Sequence, residues 1–182
     1  MGKEKIEQFK KGIFTLHTRR FGSVAEIMIK KLYNLEKSDS IYYDMKDKQN
    51  KRIEIKFATV LKANTSTIKD NNVIEQCTNA ILEIRKMASE DVPKYKFDCN
   101  FQQIKCAEFD ILYYGLFYSD KIEIYKMTTG QVLICKGYSN KQHKGNKNEG
   151  QFHIKNDNLE YHRKNYLQKT LTYEELYELF KQ

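Results

Sequence analysis

Apolar residues recur at helical intervals near the start of the chain and at strand intervals beyond it. From Lys3 to Phe14 the positions Ile6, Phe9, Ile13 and Phe14 share one face, which predicts an amphipathic helix. A second helix is expected after Gly22-Ser23, with Ser23 as its cap and Val24, Ile27, Met28, the Lys31 stem, Leu32 and Leu35 as its buried stripe. Glu26 lies at the edge of that stripe. Ile41-Tyr42-Tyr43-Asp44 predicts a short strand, residues 46–51 a charged turn, and Arg52 to Val60 a strand of period two, with Ile53, Ile55 and Phe57 on one face and Glu54, Lys56 and Ala58 on the other. Val73 to Met87 predicts a third helix with Ile74, Cys77, Ile81, Ile84 and Met87 inward, and Pro93 closes the region. The nearly unbroken apolar run Phe109 to Tyr118 suits a central strand covered on both faces. Ser119-Asp120 turns it into a partner strand, Lys121 to Met127, and Gln131 to Cys135 is expected as an edge strand.

Residues 137–165 read as a long functional loop with extended pieces around Gln151–Ile154. Thr172 and Glu175 form a capping-box pattern that opens a last helix over 172–181. The fold class this order predicts is α/β, a mixed central β-sheet flanked by helices. We expect one domain, with its core over about 19–135 and a basic loop region over about 137–169.

Composition narrows the chemistry. The 182 residues carry 32 Lys and Arg against 24 Asp and Glu, a net charge of +8. The positive charge is uneven: residues 136–169 hold eight basic against three acidic side chains, and the first 37 residues hold nine against four. Each segment nets +5, so a polyanionic partner is expected. With 13 Tyr and 10 Phe the chain has the apolar bulk to fill a core. Its apolar runs fall short of the roughly 18 residues of a membrane span, and no signal-peptide pattern opens it, so the expected location is cytoplasmic. Cys77, Cys99, Cys106 and Cys135 have no metal-knuckle spacing and are expected as reduced, mostly buried thiols.

The residues most suggestive of catalysis are Asp44, Glu54 and Lys56. If the turn centres near Gln49, Asp44 stands opposite Glu54, with Cβ atoms about 4.5–5.5 Å apart. Two carboxylates that close repel each other unless a cation neutralises them. Hard oxygen ligands suit Mg²⁺, which commonly takes one or two carboxylates together with waters and a substrate phosphate. Lys56, on the same strand face as Glu54, is placed to hold a water or a phosphate oxygen.

Asp44, Glu54-Ile55-Lys56 ten residues on, and a preceding helix with Glu26 in Arg20-Phe21-Gly22-Ser23-Val24-Ala25-Glu26 together resemble the PD-(D/E)XK nuclease superfamily. Within it the short chain resembles a small type II restriction endonuclease. The resemblance covers roughly residues 19–127, and Tyr43 stands where the motif has Pro. It implies a restriction-endonuclease-like core, Mg²⁺ held by Asp44, Glu54 and the Ile55 carbonyl, activation of water by Lys56, and Glu26 as an accessory carboxylate. It further implies double-stranded DNA as substrate, 5′-phosphate products, and functional pairing with a DNA methyltransferase. Cutting both strands with one site per chain implies a homodimer.

Asp39 and Asp47 compete with Asp44 for the first carboxylate. Gln76 is either a further polar group at the site or an ordinary helix residue, and Glu26 is either functional or an exposed i+4 partner of Lys30. Two polar segments are candidates for DNA contact: Asn64, Thr65, Ser66, Thr67 and Lys69, and then Lys141, His143, Lys144, Asn146 and Lys147. An HNH-type site from His143 through His162 with Asn165 is disfavoured, because no Asp-His pair precedes a hairpin. A structure-specific nuclease and a non-catalytic nucleic-acid-binding protein are the competing functional readings.

Overall fold

The structure is a computed structural model, which describes residues 2–141 and 148–182. Its helices are α1 (Lys3–Thr15), α2 (Thr18–Tyr33), α3 (Val73–Asn79), α4 (Leu82–Arg85), α5 (Thr129–Ile134), α6 (Leu159–Tyr166) and α7 (Tyr173–Lys181). Its strands are β1 (Glu36–Lys37), β2 (Met45–Lys46), β3 (Arg52–Thr59), β4 (Asp98–Ile104), β5 (Ile111–Phe117), β6 (Ile122–Thr128), β7 (Gly150–Lys155) and β8 (Leu167–Leu171). Six strands form a mixed sheet in the order β1-β2-β3-β5-β6-β8, and β4 pairs with β7 in a second, two-stranded sheet. The expected class, a mixed central sheet flanked by helices, is what the chain adopts. No helix among the described residues is long and apolar enough to cross a membrane.

The sheet is organised around β5, all seven residues of which are buried. It runs parallel to β3 and antiparallel to β6. Alternate side chains therefore enter two separate cores. Ile111, Tyr113 and Phe117 join Ile53 and Ile55 beneath α1, α2 and α7, whereas Leu112, Tyr114 and Leu116 join Val60, Phe101, Phe152 and Leu159 on the other face. At Gly115 a Cβ would overlap the Glu123 carbonyl oxygen and the Phe57 ring, so a side chain there would push the neighbouring strands apart. The first and last helices close the first core together, with Phe9 edge-on to Tyr177 at 5.2 Å and to Phe180 at 6.1 Å.

Several local expectations are corrected. Helix α2 starts six residues earlier than expected, so Ser23 is interior and its hydroxyl donates to the Arg19 carbonyl. The buried stripe is rotated onto Phe21, Ala25, Met28 and Ile29, which leaves Ile27 half exposed. Residues 41–44 are not a strand; the pairing begins at Met45. The expected third helix breaks into α3 and α4 because residues 85–87 turn back on 60–62. Lys62 N–H donates to the Arg85 carbonyl at 2.8 Å and Met87 N–H to the Val60 carbonyl at 3.3 Å. Ile74, Cys77, Ile81 and Ile84 face solvent, and of the five expected inward residues Met87 alone is buried. Gln131–Cys135 lies in and just after helix α5, not in an edge strand, since Thr128 and Gln131 complete a capping box. The supposed loop over 137–169 contains β7, α6 and the start of β8. Of the four free thiols, Cys99 and Cys135 are buried, Cys106 is half-buried and Cys77 is exposed.

His162, from α6, is buried within the second core. Its Nδ1 lies 2.9 Å from the Tyr114 hydroxyl, its ring stacks on Phe152 at 5.9 Å, and burial depresses its pKa to about 4. An HNH role is incompatible with that enclosure. Because the unfolded imidazole titrates near 6.5, the unfolded chain binds the proton first as pH falls. The stability that His162 contributes is therefore fully present above about pH 6.5 and lost progressively toward pH 4, up to about 3 kcal/mol. Urea melts across that window should show the loss. His162→Phe should flatten this part of the pH slope, and an unchanged slope would assign it to other groups.

Candidate active site

β2 is two residues long whereas β3 is eight, and this mismatch creates the site. Met45 faces Ile53 and Lys46 faces Arg52, the register expected from a turn centred near Gln49. Beyond Ile53 no residue of β2 continues the ladder. The Ile55 N–H instead donates to Asp44 Oδ2 at 2.8 Å, while the Asp44 N–H donates to the Ile53 carbonyl at 3.0 Å. Asp44 is thus fixed at both its backbone and its carboxylate. The Ile55 carbonyl leaves the strand on the same edge as its N–H, beside Asp44.

Glu54 and Lys56 project from the opposite face of β3 to Ile53 and Ile55. Lys56 Nζ lies 2.6 Å from Glu54 Oε1. Arg52, two residues before Glu54, holds β3 in register with β5: its Nη2 and Nε meet the two Asp110 oxygens at 2.8 and 3.2 Å, and its N–H donates to Oδ2. Asp47 is committed elsewhere, since its Oδ1 accepts from the Gln49 and Lys51 amides, each at 2.9 Å. Asp39 is exposed and does not line the cleft. Of the three acids, Asp44 alone lines the cleft with Glu54 and Lys56.

Electrostatics tie these acids together. Burial raises the Glu54 carboxyl to about 7; the adjacent Lys56 opposes that rise, and Asp44 and Glu108 add to it. Burial also raises Asp44, against the Ile55 amide and the Lys56 charge. Glu26, on α2, is raised by burial and then by the charge of Asp44. The structure thus brings Glu26, Asp44, Glu54 and Lys56 into one electrostatic unit. Among the described residues no group of three or more His, Cys, Asp or Glu is placed to hold a metal ion. Two carboxylates and one carbonyl nevertheless match the donors that Mg²⁺ commonly takes from protein, the remainder being water and phosphate. A cation there would relieve the burial and mutual repulsion of Asp44 and Glu54.

The site opens into a cleft of about 220 Å³ lined by Ile41, Tyr42, Tyr43, Asp44, Glu54 and Lys56 on one side and by Gln103, Lys105, Glu108 and Phe109 on the other. The second wall comes from β4 and the turn after it, which the sequence reading passed over. The signal was present: Phe97, Cys99 and Phe101 alternate with polar residues until Gln102-Gln103 break the period. That break is a bulge, where the pairing with β7 shifts between Phe101 and Ile104. Gln103 there adopts a left-handed backbone at φ 58°.

The other expected residues lie elsewhere. Asn64, Thr65, Ser66, Thr67 and Lys69 lie in an exposed segment without regular secondary structure. Asn64 Nδ2 donates to the Oε1 of buried Gln76 at 2.7 Å, and both residues line a different cleft with Ser66 and Arg85. Lys141 is exposed, and His143, Lys144, Asn146 and Lys147 lie outside the described residues. The chain matches no protein-family model, no curated protein and no solved structure in the comparisons made with each.

The strained Gln103 is testable. Gln103→Gly should stabilise the fold by about 1 kcal/mol by removing the left-handed penalty, and Gln103→Val should destabilise it at least as much. Denaturant melts measure both, and a glycine variant no more stable than wild type would mean that the bulge stores no strain.

Proposed function

We propose that the protein is a Mg²⁺-dependent endodeoxyribonuclease that hydrolyses phosphodiester bonds at a specific double-stranded DNA sequence, as a small type II restriction endonuclease does. The observation that carries this reading is the open edge of β3, where Asp44 is pinned to the Ile55 amide beside the paired Glu54 and Lys56. A structural ion pair would not require a third and a fourth carboxylate nearby, nor an approach cleft.

Mg²⁺ held by Asp44, Glu54 and the Ile55 carbonyl would supply Lewis-acid stabilisation of charge on the scissile phosphate and the leaving oxygen. Lys56 is the group that orients the attacking water, and its ammonium offsets the negative charge of the approaching phosphate. Glu26 acts from α2 as an accessory carboxylate that adjusts the field at Asp44. Arg52 keeps β3 in register so that Glu54 and Lys56 remain on the cleft face. The Asn64–Lys69 and Lys141–Lys147 segments would supply DNA contacts, phosphates through their lysines and base edges through Asn and His. The products would carry 5′-phosphates, a homodimer would cut both strands, and a cognate DNA methyltransferase would protect the host sequence.

Plasmid cleavage should require Mg²⁺ or Mn²⁺ and be blocked by Ca²⁺. Glu54→Ala, Lys56→Ala and Asp44→Ala should each lower the cutting rate at least about a thousandfold while binding in Ca²⁺ survives. Cutting by Glu54→Ala at the wild-type rate would remove the catalytic assignment. In sedimentation the protein should run at twice the chain mass, and mapped ends should be fixed and symmetric. A monomer that leaves scattered ends would rule out the restriction-type reading and leave a less specific nuclease.

A further inference from the structure

We infer that Arg85, Asn64 and Gln76 read a guanine of the DNA substrate, with Lys62 on a neighbouring phosphate. This inference rests on the nuclease reading and deepens it by naming one base of the recognised sequence and the side chains that select it.

The antiparallel bridge between Leu61 and Lys86 sets Lys62 opposite Arg85. The Lys62 N–H donates to the Arg85 carbonyl at 2.8 Å, and Arg85 Nε donates to the Lys62 carbonyl at 3.4 Å. Like charges opposed across paired chain are unfavourable unless an acceptor or an anion lies between them. The fold itself supplies none. No Asp or Glu lines either of the two adjoining clefts that share Asn64 and Arg85. Among the described residues neither cation pairs with a carboxylate. Lys62 Nζ rests instead over the Tyr95 ring, 4.1 Å from its centroid. The amides beside them are braced. Gln76, from α3, is only 7% exposed, and its Oε1 accepts from Asn64 Nδ2 at 2.7 Å, while Asn64 Oδ1 accepts the Ser66 N–H at 3.2 Å. Both amide oxygens are thus engaged within the protein, whereas the Gln76 Nε2 donors have no partner among the described residues.

These donors identify the occupant. The cleft offers a guanidinium, an ammonium and amide N–H groups, so its ligand presents acceptors. A phosphate alone takes donors from any direction and gives no reason for a buried glutamine braced by an asparagine. A base edge does, because its acceptors are fixed in a plane. In the major groove guanine shows two acceptors, O6 and N7, which Arg engages as a fork, whereas adenine pairs one acceptor with a donor that this cleft has no free oxygen to receive. The position suits a substrate shared with the candidate active site. Cys99 Sγ donates to the Thr59 carbonyl at 3.7 Å and the Ala63 N–H to the Lys96 carbonyl at 2.7 Å, while at the far end of β4 Gln103 and Lys105 line the cleft of Glu54 and Lys56. The two clefts therefore stand at opposite ends of the stretch over which β4 runs beside β3. From Lys56 to Asn64 the chain reaches at most about 27 Å, the rise of about eight base pairs.

The test uses the duplex around the cut site mapped on a plasmid, bound in Ca²⁺ and followed by fluorescence anisotropy. Each guanine of the site is replaced in turn by 7-deazaguanine, which keeps its Watson–Crick pairing and lacks N7. At one position in each half-site the replacement should weaken wild-type binding about tenfold, and Arg85→Ala should bind the natural and replaced duplexes with one weakened affinity. Arg85→Lys keeps the charge and loses the planar fork, so it should hold random DNA as wild type does and lose the preference for guanine. Gln76→Glu exchanges the free donor for an acceptor at nearly unchanged volume and should lose that preference too. Lys62→Ala should weaken binding to cognate and random duplexes alike and lower the salt slope by about one. Thermal melting of each variant checks that it folds. A guanine preference retained by Arg85→Lys or Gln76→Glu would overturn the inference, as would an Arg85→Ala loss equal on cognate and random DNA, which marks a phosphate contact. Wild type that cuts at a site without guanine, or binds every 7-deazaguanine duplex as tightly as the natural one, would overturn it and leave the nuclease reading standing. Protein that cuts no plasmid would overturn both.

Discussion

A strand buried on both faces must be hydrogen-bonded on both edges, and β5 imposes that condition on everything around it. Its parallel neighbour β3 and antiparallel neighbour β6 satisfy its backbone, and its alternating side chains separate two cores that share no buried residue. Gly115 lets Phe57 and the Glu123 backbone approach the middle of that strand. The parallel pairing is also why the chain must cross over between β3 and β5, and the crossover supplies the Asn64 segment, α3, α4 and the second wall of the cleft.

The candidate site lies where this regularity stops. β3 is held rigidly on its inner edge by β5 and by the Arg52–Asp110 pair, yet its outer edge loses its partner after Ile53. A free strand edge ordinarily invites association with another chain. Here Asp44 occupies the first vacant bonding position with a carboxylate, which converts an edge that would attract another strand into a site rich in oxygen donors. Glu54 follows from period two alone, because it shares its face with Lys56 and looks toward the gap between the two sheets. The burial that raises these carboxyls comes from the same walls that shape the cleft.

The sequence made the hairpin of the candidate site legible because its information is local: the turn, the register of 45 with 53 and the face shared by Glu54 and Lys56 follow from spacing within fifteen residues. The buried run of β5 and the capping box at Thr172 were readable for the same reason. What it hid was set by distant partners. The apolar periodicity of 73–87 is helical, but pairing of 85–87 with 60–62 pulls its end into an extended path and leaves Ile74 and Ile81 outside. The β4 strand was obscured by its own bulge and α6 by the density of polar residues around Leu159, His162 and Tyr166, whereas the extended piece expected at Gln151–Ile154 is β7. The cleft's second wall depends on how β4 lies beside β3, a relation that no short stretch of sequence encodes.

The pairing of the first helix with the last has a consequence for synthesis. Residues 26–56, which carry every proposed catalytic group, emerge from the ribosome early, but the core beneath β3 and β5 is completed by Tyr173 and Leu176 of α7 and by the contact of Phe9 with Tyr177 and Phe180. Tyr173 also donates its hydroxyl to the Tyr118 carbonyl, which ties that closing helix to the end of the central strand. A nascent chain lacking α7 exposes the apolar face of its sheet and cannot hold the carboxylates in register. The order of translation thus delays assembly of the candidate site until α7 has been made, so a nascent chain that stops short of it carries these side chains without the framework that positions them.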